Sequence, residues 1–252
     1  VRSENGPKNC IIDCEQNGRG FIFQSGEEEN SIIDGITIKN GLIRGRPARG
    51  GGIYCSNSSP TIISCIIKDN RALGNNYSYA GYGGGVYCYL GSNPKLINCE
   101  IRNNLAKGGA GREPWCSPMS GCDEGTPAGS GHGGGIYCSE DSIINIDGSV
   151  IDNNYAKLGD NFINSQTKYA LGGGIYASGI IRNSIIQGNT VAESVYTSGD
   201  NNGGGIYCLS NSEIINCLIV NNGSHAGTGG GIYVAGIDVF IYGSTIYSNY
   251  VP

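Results

Sequence analysis

Six tyrosines recur in one fixed setting, the fifth residue of a Gly-Gly-Gly-Ile-Tyr-Cys hexamer: Tyr54, Tyr87, Tyr137, Tyr176, Tyr207 and Tyr233. A row of rings is one way to bind sugar, whose apolar faces stack on aromatic faces. The sixth position holds Cys55, Cys88, Cys138 and Cys208, but Ala177 and Val234 in the other two copies. Thiols in a column bring metal, redox or packing roles into view. The sole tryptophan, Trp115, stands beside Cys116 in the insertion Glu-Pro-Trp-Cys-Ser-Pro-Met-Ser-Gly-Cys. Cys116 and Cys122 read as a disulfide that closes this loop, with Cys10 and Cys14 the candidates for a second. Trp115 is the single best candidate for a ligand contact, on a loop where binding usually sits, with capping of its own loop the alternative.

Acid–base chemistry finds fewer candidates. Asp123–Glu124 and Glu140–Asp141 are adjacent pairs, and neighbours on a strand point to opposite faces. Glu27, Glu28 and Glu29 with Asp34 make the densest acidic patch, which reads as a solvated turn. His132 and His225 each precede a glycine triplet, and neither has a Ser or Cys nucleophile in view. A lone loop histidine is a weak catalytic signal. No catalytic residue and no metal ligand is nominated.

These residues sit in a repeat. After each hexamer comes a second motif: Pro-Thr-Ile-Ile-Ser-Cys-Ile-Ile-Lys-Asp-Asn-Arg-Ala at 60–72, and Pro-Lys-Leu-Ile-Asn-Cys-Glu-Ile-Arg-Asn-Asn-Leu-Ala at 94–106. Further copies follow at 142–156, 178–192, 212–226 and 239–251, and 30–41 is an earlier, divergent one. The chain therefore divides into divergent opening coils (1–49) and six repeats (50–252), with a long insertion at 107–132. The connectors before the glycines vary and carry Tyr77, Tyr79, Tyr82, Tyr169 and Tyr196. Short apolar alternation broken by Asn, Ser, Gly and Pro is a strand signal, and no helical period is sustained. A short repeat that tolerates insertions in one place is the mark of a solenoid.

Stacking turns positions into columns about 4.8 Å apart. Asn40, Asn70, Asn104, Asn154, Asn189, Asn222 and Asn249 form an expected amide ladder. A second thiol column is Cys65, Cys99 and Cys217, with Ser149, Ser184 and Ser244 at the same place in the other copies. One thiol per coil along a line does not converge as metal ligation requires. Buried free thiols are the expected state, while stacking distance also permits a bridge such as Cys55–Cys88. If Ile53 and Cys55 point in, Tyr54 points out. The tyrosines then either hold an exposed sheet in register or bind glycan.

Glycine is 44 of 252 residues, far above the usual share of about 7% but without collagen's period. A hydrophobic share of 38% supports a buried core. The formal charge of −5 argues against nucleic acid, which wants a basic face. No apolar run approaches the ~18 residues of a membrane span, and no charged n-region followed by an apolar h-region opens the sequence. Eleven cysteines, an odd total, leave at least one thiol free.

The run of Gly-Gly-Gly-Ile-Tyr-Cys and Asn-Cys units resembles the right-handed parallel β-helix proteins of the pectin-lyase-like superfamily, over nearly the whole chain. The resemblance implies an all-β, single-stranded right-handed parallel β-helix of about seven coils with variable loops on one side. It implies three strands per coil, Gly-Gly-Gly-Ile-Tyr, x-Ile-x and x-Ile-x-x-Asn, and an extracellular or cell-surface setting. Hydrolases of this kind pair carboxylates with Gly-His-Gly and Arg-x-Lys motifs. Gly131–Gly133 supplies the first, and the other motifs are missing. Lyases of the superfamily hold Ca²⁺ with carboxylates; no residues here support it, and no cofactor is expected. The expectation is a non-catalytic scaffold or adhesin that contacts polysaccharide or surface glycan. The alternative is a polysaccharide lyase, hydrolase or epimerase with a groove beside the loop-side strand. Both ends lack the polar caps solenoids need, so the chain is expected to be a piece of a longer protein or to self-associate end to end.

Overall fold

The computed structural model describes residues 1–251 except 77, 113, 114, 118–120, 124, 161–168, 193–200 and 226. The described residues form strands and turns with no helix, hence no helix long and apolar enough to cross a membrane. One circuit of the chain runs through five short strands: Gly81–Tyr82, Val86–Tyr89, Lys95–Ile97, Glu100–Arg102 and Leu105–Lys107. The next circuit repeats them as Gly131–His132, Ile136–Cys138, Ile143–Asp147, Val150–Asp152 and Tyr155–Lys157. Each strand pairs in parallel with its counterpart, Tyr87 opposite Tyr137 and Ile101 opposite Ile151. The architecture is all-β with several parallel sheets, compatible with a parallel β-helix. Five strands per circuit replace the expected three. The additional ones are the two-residue strand before the glycines and the strand after the asparagine.

The sheets hold twelve, eight, six and six strands, and the insertion adds a two-stranded antiparallel pair. The tyrosine strands and the Lys95–Ile97 type merge into one sheet, because Ile175–Arg182 and Ile206–Ile215 run through the corner between them. Alternation dictates the core. Val86 and Cys88 face in, as do Leu96 and Ile101, and Ile53, Ile62, Ile67, Ile136 and Ile151 are fully buried. Burying one such aliphatic side chain contributes about 1.5–3 kcal/mol, and each circuit supplies several. The cysteines belong to this core: Cys55, Cys65, Cys88, Cys99, Cys138, Cys208 and Cys217 are buried free thiols. The Cys55–Cys88 bridge is not formed.

Besides the first glycine of each triplet, two corners per circuit take left-handed backbone. The first is at Ser64, Asn98, Gly148, Asn183 and Asn216; the second is at Asn40, Asp69, Asn103, Asn153, Gly188 and Asn221. Asn, Asp and Gly tolerate that region better than other residues. This corrects the place of Asn40: it holds a corner, hydrogen-bonded to Asp13, and Gly41 takes the ladder position, its N–H donating to Asn70 Oδ1. The ladder from Asn70 to Asn222 is fully buried. Asn70, Asn104, Asn154, Asn189 and Asn222 each donate Nδ2–H to the next Oδ1 at 2.9–3.0 Å.

The glycine triplet answers to three separate constraints, seen at Gly83–Gly85. Gly83 has φ +59°. A Cβ on Gly84 would lie 2.4 Å from Gly134 O of the next circuit, and one on Gly85 3.1 Å from the Asn104 amide. The triplet therefore turns the corner, admits the neighbouring backbone and packs against the asparagine ladder.

Candidate tyrosine-ladder site

The six tyrosines stack as one column. Ring centroids are 5.4 Å apart for Tyr54–Tyr87 and Tyr87–Tyr137, 4.9 Å for Tyr137–Tyr176 and Tyr176–Tyr207, and 5.1 Å for Tyr207–Tyr233. Interplanar angles of 5–25° make these face-to-face stacks. Parallel in-register pairing sets this spacing, since each ring rides on its strand. The column is therefore less open than simple alternation implies. Ring faces are covered by neighbouring rings, and Tyr87 is only 3% exposed. The six hydroxyls make no hydrogen bond to the protein among the described residues, and none is a buried orphan. What remains for solvent is a row of ring edges and phenol oxygens.

A second column flanks the first, contributed by the two-residue strands: Arg49, Tyr82, His132, Leu171, Asn202 and Thr228 in register. Tyr82 stacks on His132 at 5.3 Å and tilts against Tyr137 at 4.8 Å. His132 also contacts Tyr176 at 5.7 Å. The Arg49 guanidinium lies 5.7 Å from the Tyr87 ring and 5.5 Å from Tyr89, and that of Arg19 lies 4.9 Å from Tyr54. Sequence reasoning missed this column. Its signal was the single residue before each glycine triplet, which varies in type and so hides its shared place.

Burial governs the electrostatics. It pushes the phenols of Tyr82, Tyr87, Tyr137, Tyr176 and Tyr207 above their ordinary value, with neighbouring tyrosines adding to the shift of most. It pushes the His132 imidazole down to about 4. The Nδ1 atom of His132 is buried with no hydrogen-bond partner among the described residues. His132 therefore works here as a neutral ring among rings, without a carboxylate to orient it. Burial likewise raises Cys88, Cys65 and Cys208 and takes Cys99 to about 12, while Cys55 is raised first by its hydrogen bond with Cys88 and then by burial. These thiols stay protonated and poor as nucleophiles.

Cys116 and Cys122 are joined by a disulfide, whereas Cys10 and Cys14 are free and half-buried, so that second pairing is not formed. Trp115 is 62% exposed and makes no ring contact among the described residues. Its backbone N–H donates to Asp123 Oδ1 at 2.9 Å, and Asp123 also pairs with Arg112 at 2.6 Å. Tyr77, Tyr196 and Glu124 lie outside the described residues. The acidic patch does not converge. Glu27 accepts from the Ser25 N–H and the Ser58 hydroxyl, Glu29 pairs with Lys95, and Asp34 pairs with Arg2. No group of three metal-ligating side chains occurs among the described residues. No family model matches this sequence, and neither a curated protein nor a solved structure matches it.

Proposed function

We propose that the chain is a right-handed parallel β-helix of the pectin-lyase-like type. It serves outside the cell as a non-catalytic scaffold that touches polysaccharide or surface glycan along its tyrosine ladder. The observation that carries this reading is the unbroken run of stacked rings from Tyr54 to Tyr233, with hydroxyls that no protein group engages among the described residues. A sugar ring cannot enter between faces already stacked, so contact runs through hydroxyl edges, which donate and accept with sugar hydroxyls. Neutral phenols at a regular spacing fit an uncharged, repeating ligand. Trp115, exposed on its disulfide-closed hairpin, offers an open aromatic face for stacking.

End-to-end association is part of the same proposal. Phe240, Ile241 and Ile246 on the outermost circuit are exposed, and open strand edges template pairing.

A glycan array run beside a lyase and hydrolase screen tests the reading. Glycan retention that falls in Tyr176→Phe, which keeps the ring and removes the hydroxyl, supports the edge contact. Retention unchanged in Tyr176→Phe and in Trp115→Ala leaves the ladder with a purely structural role. Turnover abolished by changing one loop carboxylate overturns the non-catalytic assignment. A strictly monomeric species by light scattering at high concentration removes the self-assembly component.

A further inference from the structure

We propose that Arg19, Arg44 and Arg49 form a receptor for a multiply charged tetrahedral oxyanion, of the phosphate-monoester class, in a cleft at the foot of the tyrosine ladder. The three arginines line one cleft of about 340 Å³, walled by Ile22, Pro47 and Tyr54. None makes a salt bridge or side-chain hydrogen bond among the described residues. Four of the six other arginines are ion-paired, Arg2 with Asp34, Arg102 with Glu100, Arg112 with Asp123 and Arg182 with Asp147, while Arg46 and Arg71 stand apart from this cleft's lining. What distinguishes Arg19, Arg44 and Arg49 is that three unpaired guanidinium groups share one cleft in a chain of net charge −5.

Their orientation adds to the case. Arg19 lies over Tyr54, and Arg49 over Tyr87 and Tyr89. A guanidinium stacked on a ring keeps its N–H donors in its own plane, free and pre-oriented for an oxyanion. Arg49 Nε is buried without a partner, and an unsatisfied buried donor is costly. Burial also lowers the Arg19 guanidinium, and no carboxylate acts on it. Ring capping alone does not account for the cluster, because Arg44 touches no ring and still lines the cleft. Three positive charges exceed what one carboxylate neutralises, which selects a ligand with more than one negative charge. The inference stands independently of the glycan reading, since it uses the cleft and not the ladder hydroxyls.

Calorimetric titration of inorganic phosphate, and separately of sulfate, into the chain at low ionic strength tests it. Acetate and chloride at matched ionic strength are the controls. The expected result is saturable one-to-one binding of both dianions that weakens with added salt. Arg44→Gln and Arg49→Gln are each expected to weaken it on the order of tenfold, while Lys68→Gln on another face leaves it unchanged. Phosphate binding that tightens as the monoanion becomes the dianion, beside pH-independent binding of the sulfate dianion, supports selection for a doubly charged ligand. Arg44 is exposed, so Arg44→Gln carries the test even if Arg49→Gln fails to fold. Dianions that bind no better than acetate, or undiminished binding by Arg44→Gln, overturn the proposal.

Discussion

Asn104 is held by Asn154 twice over. Oδ1 of Asn154 accepts the Asn104 Nδ2–H at 2.9 Å and the Asn104 backbone N–H at 3.1 Å, while Asn154 Nδ2 donates to Ile101 O at 2.8 Å. Both residues are fully buried. Asn154→Ala would leave two buried donors on Asn104 without partners or water. The expected loss is about 4 kcal/mol of unfolding free energy, read from urea denaturation. Asn249→Ala, at a ladder position water can reach, is expected to cost about 1–2 kcal/mol. Equal losses for the two would refute the claim that burial of the ladder, and not the amide alone, sets its worth.

Two glycines separate conformational freedom from close packing. Gly84→Ala places a Cβ 2.4 Å from Gly134 O and 2.5 Å from the Leu105 N, both backbone atoms that cannot swing aside. We expect a loss of about 3 kcal/mol or more. Gly91 has φ +70°, and the nearest atom to its added Cβ is 4.0 Å away. Gly91→Ala therefore carries only the left-handed backbone term, about 1 kcal/mol. Thermal melts of the two variants give the comparison, and a milder Gly84→Ala would mean that the circuits slide apart to accept the methyl.

The sequence makes the stacking legible because in-register strands demand the same volume at the same place in every circuit. That constraint writes the tyrosine, cysteine and asparagine columns into the chain as repeated letters. It fails where one position tolerates many types. The residue before each triplet is Arg49, Tyr82, His132, Leu171, Asn202 or Thr228, and no periodicity marks it as a strand. The strand after the asparagine, such as Leu105–Lys107, is too short to alternate visibly. Asn40 misled because Asn serves both the left-handed corner and the ladder one residue later. The loss of ring faces to stacking was likewise hidden, since alternation gives the side a residue faces and not what covers it.

Thiol reactivity follows burial. Cys10 and Cys14 are half-buried and free, whereas Cys55, Cys65, Cys88, Cys99, Cys138, Cys208 and Cys217 lie in the core. In the folded protein an aromatic disulfide reagent is expected to modify Cys10 and Cys14 first. The seven core thiols should react only at the rate of unfolding, because burial keeps most of them protonated as well as shielded. Peptide mapping after a short pulse makes the assignment. Rapid labelling of Cys88 would contradict a closed core, and an unreactive Cys10–Cys14 pair that becomes reactive on reduction would reinstate the second disulfide.

His132 gives the fold an acid sensitivity in a window above that of its carboxylates. Its ordinary value of 6.5 falls to about 4 through burial against Tyr82, Tyr137 and Tyr176. A depressed histidine binds its proton less well folded than unfolded, so falling pH favours the unfolded chain. Stability is fully present above the unfolded value and declines from pH 6.5 to about 4, by about 3 kcal/mol in all. The carboxylates of Glu27, Glu29, Asp123 and Asp147 are lowered by their hydrogen bonds, and Asp13 to about 2. Their contributions are lost below the ordinary carboxylate range, beneath most of the histidine window. Leu171 occupies the same column one circuit on, so His132→Leu suits the site. That variant should flatten the stability profile between pH 6.5 and pH 4, measured by urea unfolding at successive pH values. An unchanged slope in His132→Leu would place the titrating group elsewhere.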